Sequence, residues 1–168
     1  MVDLHGKVAL ITGSSRGIGR GCAIEMATGG ADIVINYRTH PDEAEEVAEI
    51  VRRLGRSAIT VGADIADRGA VEAMVQQGID RFGKIDILVN NAAMSIRKPF
   101  LEIPVADVSR TIDVCMWGVF HCSQVAARHM AKRGEGGKIL IISSVHAFIP
   151  FANSVAYNTA KEIGRAHV

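Results

Sequence analysis

The chain is short of cysteine, has no surplus of charge of either sign, and contains no long apolar run. Cys22, Cys115 and Cys122 are the only 3 cysteines in 168 residues, widely spaced and each in an apolar helical context. They read as small buried hydrophobes of a reducing, cytoplasmic protein, which excludes a disulfide framework and a metal cluster. Lysine plus arginine (19) nearly balance aspartate plus glutamate (18), for a formal net charge of +1. That balance removes the electrostatic reason to expect nucleic acid or a membrane surface as partner. No apolar run is long enough to span a bilayer. No basic-then-apolar leader opens the chain, so export is not expected. What remains is 48% hydrophobic, enough for a single domain with a proper core.

The most informative stretch is Lys7–Gly19. An apolar run from Val8 to Ile11, then Thr12, breaks abruptly into Gly13-Ser14-Ser15-Arg16-Gly17-Ile18-Gly19. An amphipathic run from Arg20 follows at once. The order is buried strand, glycine turn, helix start. Glycine is needed where the chain turns too sharply for a Cβ and its backbone must approach a bound phosphate. The helix N-terminus then offers free N–H groups to that phosphate. The turn alone also fits a tight connection with no ligand.

Further along, Asp32–Tyr37 reads as a second buried strand. A helix with Thr39 as cap and Pro41 in its first turn runs to about Leu54 and stops at Gly55. Residues 57–62 form a third strand, and Asp67 caps a helix from about Gly69 to Phe82. Residues 84–90 form the fourth strand. One long helical stretch covers roughly residues 105–133, Gly134–Gly137 breaks it, and residues 138–143 form the fifth strand. Strands apolar on both parities and alternating with helices predict a parallel sheet covered on both faces. Ligands of such sheets bind at the carboxyl ends of the strands, where the strand order reverses.

Several motifs in this order carry a resemblance. Gly13-x3-Gly17-x-Gly19 is not the common G-x-G-x-x-G spacing; it resembles the T-G-x3-G-x-G turn of the short-chain dehydrogenases/reductases. Asn90-Asn91-Ala92-Ala93 resembles that family's N-N-A-G, with Ala93 replacing the glycine. Ser144 lies 13 positions before Tyr157, and Tyr157-x3-Lys161 follows, again as in the family. A Y-x3-K alone is nearly worthless; in this context and order it is specific. The resemblance runs from Lys7 to Lys161. It implies an α/β fold, a doubly wound Rossmann-type parallel sheet, with the family's C-terminal strands and helices missing. A homo-oligomer, tetramer or dimer, is implied for the full-length protein.

On the cofactor side the resemblance assigns Gly13, Ser15, Arg16, Gly17, Ile18 and Gly19 to a dinucleotide, with Asn91 and Ala92 at its ribose. Asp64-Ile65 resembles the family's Asp-Val pair beside the adenine, Asp64 accepting from the exocyclic amine and Ile65 covering the ring; Asp64 also reads as a plain polar residue at a strand end. NAD-preferring chains usually place an acid after the second strand. Here Asn36-Tyr37-Arg38 stand there, with no acid before Asp42. Arg16 and Arg38 suit a 2′-phosphate, which guanidinium groups clamp bidentately. NADP is therefore preferred over NAD, although Arg38 also fits a solvated surface position.

On the catalytic side, Tyr157 and Lys161 share one helix face. Hydride transfer at a carbinol carbon must be matched by a proton moving at its oxygen. A free phenol titrates near about 10, too high for a neutral-pH base, and a nearby ammonium favours its phenolate. The resemblance makes Tyr157 the general acid/base, Lys161 its activator and a holder of the ribose, and Ser144 the residue that orients the substrate oxygen. The substrate is then a small alcohol or carbonyl compound. Both Tyr157 and Lys161 also count among the cofactor-binding residues. One expected residue is absent: where the family has a relay asparagine, Val114-Cys115-Met116-Trp117-Gly118 carries Cys115. A thiol is a weak donor and acceptor, so Cys115 reads either as a modified relay or as plain helix packing. His146 edges the substrate pocket or is a solvated loop residue, the latter being the expectation. Met116, Trp117 and Phe120 are expected in the helix core or a subunit interface.

Among subfamilies, Val34–Arg38, Ser143–His146 and Ile149-Pro150 look most like glucose 1-dehydrogenases, with 3-oxoacyl-carrier-protein reductases next. A non-catalytic nucleotide-binding fragment is the alternative from a different class. The domain expectation is an incomplete dinucleotide-binding unit over residues 1–161. Residues 162–168, Glu-Ile-Gly-Arg-Ala-His-Val, match the translation of a common short-read sequencing adapter and are expected to be a non-native tail. Loss of the family's later strands would leave an unpaired apolar sheet edge.

Overall fold

The computed structural model describes residues 2–163; the tail beyond Ile163 lies outside the described residues. Strands β1 (Val8–Ile11), β2 (Asp32–Tyr37), β3 (Ala58–Gly62), β4 (Ile87–Asn90) and β5 (Lys138–Ile141) pair in parallel, in the spatial order β3-β2-β1-β4-β5. Helices α1 (Gly17–Thr28), α2 (Pro41–Arg53), α3 (Arg68–Phe82), α4 (Val105–Ile112), α5 (Gly118–Arg133) and α6 (Val155–Ile163) connect and flank them. The chain winds outward from β1 to β3, then crosses back to β4. The order therefore reverses between β1 and β4, which opens a crevice at their carboxyl ends.

Alternate residues of each strand serve opposite faces of the sheet. On one face Leu10, Val34 and Leu88 pack with Val71, Met74, Cys122 and Ala126 of α3 and α5. On the other, Ile11, Ile33, Ile35 and Val89 pack with Ala23 and Ala27 of α1 and Val47 and Val51 of α2. Two filled faces are why the central strands read as continuous apolar runs. Among the described residues β5 pairs with β4 alone, and it leaves Ile139 and Leu140 partly exposed at that edge.

Three local expectations need correction. Thr39 does not cap α2: the cap position is His40, with no side-chain cap bond, and Pro41 is the first helical residue. Thr39 stands one residue too early to reach the first free N–H groups, and its hydroxyl lies 2.8 Å from His40 Nδ1 instead. The stretch over residues 105–133 is not one helix. A five-residue π-helical segment, Asp113–Trp117, separates α4 from α5; the apolar pattern runs through it unbroken, so periodicity could not reveal it. Of the two places expected for Trp117 and Phe120, helix core or subunit interface, the core is excluded: they are 46% and 48% exposed, with their rings edge to face at 5.9 Å. By contrast Asp67 caps α3 as expected, accepting from the Ala70 N–H at 3.1 Å.

At the amino end of the sheet, Asp86 fastens three elements. Its main chain donates to the Val8 carbonyl and accepts from the Lys138 N–H, both at 2.9 Å. Its side chain accepts from the Val8 N–H at 2.9 Å and pairs with Arg133 at 2.6 Å and Lys84 at 3.1 Å. Burial pushes this carboxyl up, but the Val8 N–H and the Lys84 and Arg133 cations outweigh it and hold it below the usual aspartate value. A depressed pKa contributes stability above the unfolded value of about 3.9, lost as pH falls through the folded one. Asp86→Asn should cost about 2–3 kcal/mol near neutrality, because Arg133 and Lys84 lose their partner. Chemical denaturation from pH 7 down to about 3 should show a flatter acid limb for the variant; an equally steep one would refute the assignment.

Candidate active site

The glycine turn between β1 and α1 is built around three absent side chains. Gly13 and Gly17 have φ of +61° and +59°, the left-handed region that side chains disfavour. A Cβ on Gly13 would lie 2.9 Å from Ala92 Cα, and one on Gly19 would lie 2.4 Å from Asn91 Nδ2. Asn91 uses the second space: its amide donates to the Thr12 and Gly13 carbonyls, each at 3.0 Å. The Thr12 hydroxyl in turn accepts from the Asn91 and Ala92 N–H groups at 3.0 Å. The ends of β1 and β4 are thus tied across the point where the strand order reverses.

A cleft of about 490 Å³ opens there. Of the sequence-predicted cofactor residues, Gly13, Ser15, Arg16, Ile18, Arg38, Asp64, Ile65, Asn91 and Ala92 line it. Gly17 and Gly19 are not on its wall; they shape the turn behind it.

Asn36 was read only as a non-acidic residue, yet it organises the floor. It is 2% exposed, accepts from the Gly13 N–H at 3.0 Å, and donates to the Ala63 carbonyl at 3.1 Å. Ser14 accompanies it, donating to the Ile11 carbonyl and accepting from the Asn36 N–H. A buried polar residue at the end of an apolar strand was the available signal, since such groups must find partners. At the rim stand Arg16, Arg38, Thr39 and His40, with Arg16 Nη1 3.4 Å from His40 Nε2. Among the described residues, the acid on the cleft wall is Asp64. Asp64 has one donor on each oxygen: one takes the Ala66 N–H at 3.0 Å and the other pairs with Arg110 of α4. Ile65 is mostly buried, and Gly118 lets α5 approach it, since a Cβ there would come within 2.6 Å of its Cδ1.

Ser144, Tyr157 and Lys161 do not line that cleft but form a second cluster. Lys161 is 6% exposed and donates from Nζ to the Ile142 carbonyl at 2.8 Å. Its Nζ lies 5.7 Å from the Tyr157 ring centroid, as their shared helix face requires. Burial pulls the Lys161 pKa below the ordinary lysine value, with the Cys115 sulfur opposing. Ser144 begins a short 3-10 turn, its Oγ accepting from the His146 N–H at 3.2 Å. His146 is no solvated loop residue. It stacks on Phe151 at 4.2 Å, meets the Tyr157 ring edge-on at 5.2 Å, and bonds Asn158 at 2.8 Å. It therefore links Ser144 to Tyr157. Cys115, 1% exposed, exchanges both bonds of its thiol with the Met94 backbone, accepting at 3.3 Å and donating at 3.4 Å.

The short chain dehydrogenase family profile matches residues 7–166. The chain belongs to that family. It is 37% identical over 158 residues to an L-rhamnose 1-dehydrogenase (NAD(P)(+)) of Sphingomonas sp., covering 94% of this chain and 62% of the relative. It is 36% identical over 160 residues to glucose 1-dehydrogenase 2 of Bacillus subtilis, covering 95% and 62%. A short-chain dehydrogenase/reductase crystal structure from Mycobacterium marinum superposes with a TM-score of 0.92 at 34% identity, covering 96% of this chain and 66% of that one. The chain thus spans under two thirds of the length of these relatives.

Two glycines in α1 separate shape from helix propensity. Gly19→Ala should displace Asn91 and weaken dinucleotide binding at least tenfold, whereas Gly21, with open space around it and no positive φ, should gain about 0.5–1 kcal/mol as alanine. Paired cofactor titrations and thermal melts check both.

Proposed function

We propose that this short-chain dehydrogenase transfers hydride between NADP(H), with NAD(H) as the weaker alternative, and a secondary alcohol or sugar lactol, with Tyr157 as general acid/base. The observation that carries the proposal is the buried Lys161 ammonium, held on the Ile142 carbonyl beside the Tyr157 ring.

The cleft fits a dinucleotide. Ser15, Arg16 and Ile18 line it where α1 begins, and the first N–H groups of a helix suit a pyrophosphate. The cationic rim of Arg16 and Arg38 suits a 2′-phosphate better than a bare hydroxyl. When bound, the nicotinamide supplies or accepts the hydride. The protein's own part is the proton. Tyr157 takes it from the hydroxyl in oxidation and returns it to the carbonyl oxygen in reduction. Lys161, with its pKa lowered by burial, is itself able to pass on a proton. The Ser144 hydroxyl orients the substrate oxygen, and His146 holds Ser144 and Tyr157 in register.

The two sugar dehydrogenases among the relatives favour a lactol oxidised to a lactone. Reduction of 3-oxoacyl thioesters is the other substrate class: NADPH oxidation with an acetoacetyl thioester, and no NADP reduction with L-rhamnose or D-glucose, would select it. The reading as a nucleotide-binding fragment rests on one observation, that Ser144, Tyr157 and Lys161 lie off the cleft wall; cofactor binding without turnover on any alcohol would support it.

Tyr157→Phe should lower turnover about 10²–10⁴-fold while cofactor affinity changes less than about twofold. Lys161→Met should lower both. Retention of most activity by Tyr157→Phe would remove the proposed acid/base.

A further inference from the structure

The pairing of Asp64 with Arg110 has a consequence for how the cofactor's base is read. Asp64 stands at the carboxyl end of β3 on the cleft wall, and its carboxylate has a donor on each oxygen, the Ala66 N–H on one and the Arg110 guanidinium on the other. Both side chains of the ion pair are only about one third exposed, at 32% and 34%. Arg110 lies in the last turn of α4, and Val114, one turn further on, is itself on the cleft wall. The guanidinium therefore reaches Asp64 from the side of α4 that borders the cleft.

Two donors on fixed elements hold the carboxylate in a single orientation, leaving its remaining lone pairs for a ligand. Arg110 also balances the Asp64 charge. A bare carboxylate in a cleft meant for a polyanionic dinucleotide would repel it, and a like charge nearby is unfavourable at short range. We propose that Arg110 is a positioning residue for the nucleotide base: by fixing and neutralising Asp64 it lets that carboxylate select a base bearing an exocyclic amine, adenine over hypoxanthine. The inference rests on the dinucleotide-binding reading above.

The test uses the whole chain and binding alone, with NADP and its hypoxanthine analogue as probes. The analogue has a carbonyl where adenine carries its amine, so it loses a donated hydrogen bond and sets two acceptors face to face. The wild-type chain should bind NADP about tenfold more tightly than the analogue, the size expected of one hydrogen bond to a charged group. Arg110→Met should weaken NADP about tenfold and bring the two ligands within about twofold of each other. Arg110→Lys should restore affinity more than selectivity, since it returns charge without the planar fork. Asp64→Ala should abolish the same selectivity, and Asp64→Ala with Arg110→Met should add nothing further, the signature of one coupled unit. Thermal melts of each variant separate this from a mere staple between α4 and the end of β3, which would lower stability and leave the ratio at its wild-type value. An unchanged ratio in Arg110→Met, or equal tight binding of both probes by the wild type, overturns the inference while leaving the dinucleotide reading intact. Failure of the wild type to bind either probe overturns both.

Discussion

The carboxamide of Asn91, donating to the carbonyls of Thr12 and Gly13 in the space where Gly19 has no side chain, is the contact on which the site depends. It ties the carboxyl ends of the parallel neighbours β1 and β4, where the strand order reverses. Without a polar bridge there, the carbonyls ending β1 would face the crevice unpaired, at a cost of about 1–3 kcal/mol each. With it, the glycine turn is fixed, and Ser15, Arg16 and Ile18 are held on the cleft wall. The same residue cannot be replaced by a larger one or faced by an alanine at position 19. Sterics and hydrogen bonding here are one constraint.

A second polar hub extends that order outward. Asn36 joins the Gly13 N–H to the ends of β2 and β3, so the floor of the cleft is braced by side-chain amides on both sides of β1. Asp86 does the equivalent work at the opposite end of the sheet, where it joins β1, α5 and the start of β4. Apolar burial between the two sets of helices supplies most of the stability, but it is non-directional. Directional bonds at the two ends decide where strands stop and where the cleft opens.

The cluster of Ser144, Tyr157 and Lys161 is positioned by different means. Lys161 is anchored to the end of β5 through Ile142, and Tyr157 is held between the Lys161 ammonium and the His146 ring. The π-helical segment carries Val114 to the cleft wall and Cys115 to the Met94 backbone. The same irregular turn thus contributes both to the cleft and to the surroundings of Lys161, while Arg110 ties α4 to the end of β3.

What the sequence by itself determined were the features that repeat with backbone geometry. Continuous apolar runs marked strands with two buried faces, Asp67 marked a helix start, Gly55 and Gly134 marked helix ends that the fold places in the left-handed region, and the glycine turn marked the corner between the first strand and its helix. Tyr157 and Lys161 were legible as one helix face because four residues nearly complete a turn. What only the tertiary structure decided were partners distant in sequence: Asn36 with Gly13, Arg110 with Asp64, His146 with Tyr157, Asp86 with Arg133. No periodicity encodes such pairs, since each depends on which elements pack side by side. The interruption at residues 113–117 was hidden for a related reason: a π-helical turn keeps the same apolar residues and changes only their angle. Polar contacts of that kind fall where the chain has already been brought together, and there the site acquired its detail.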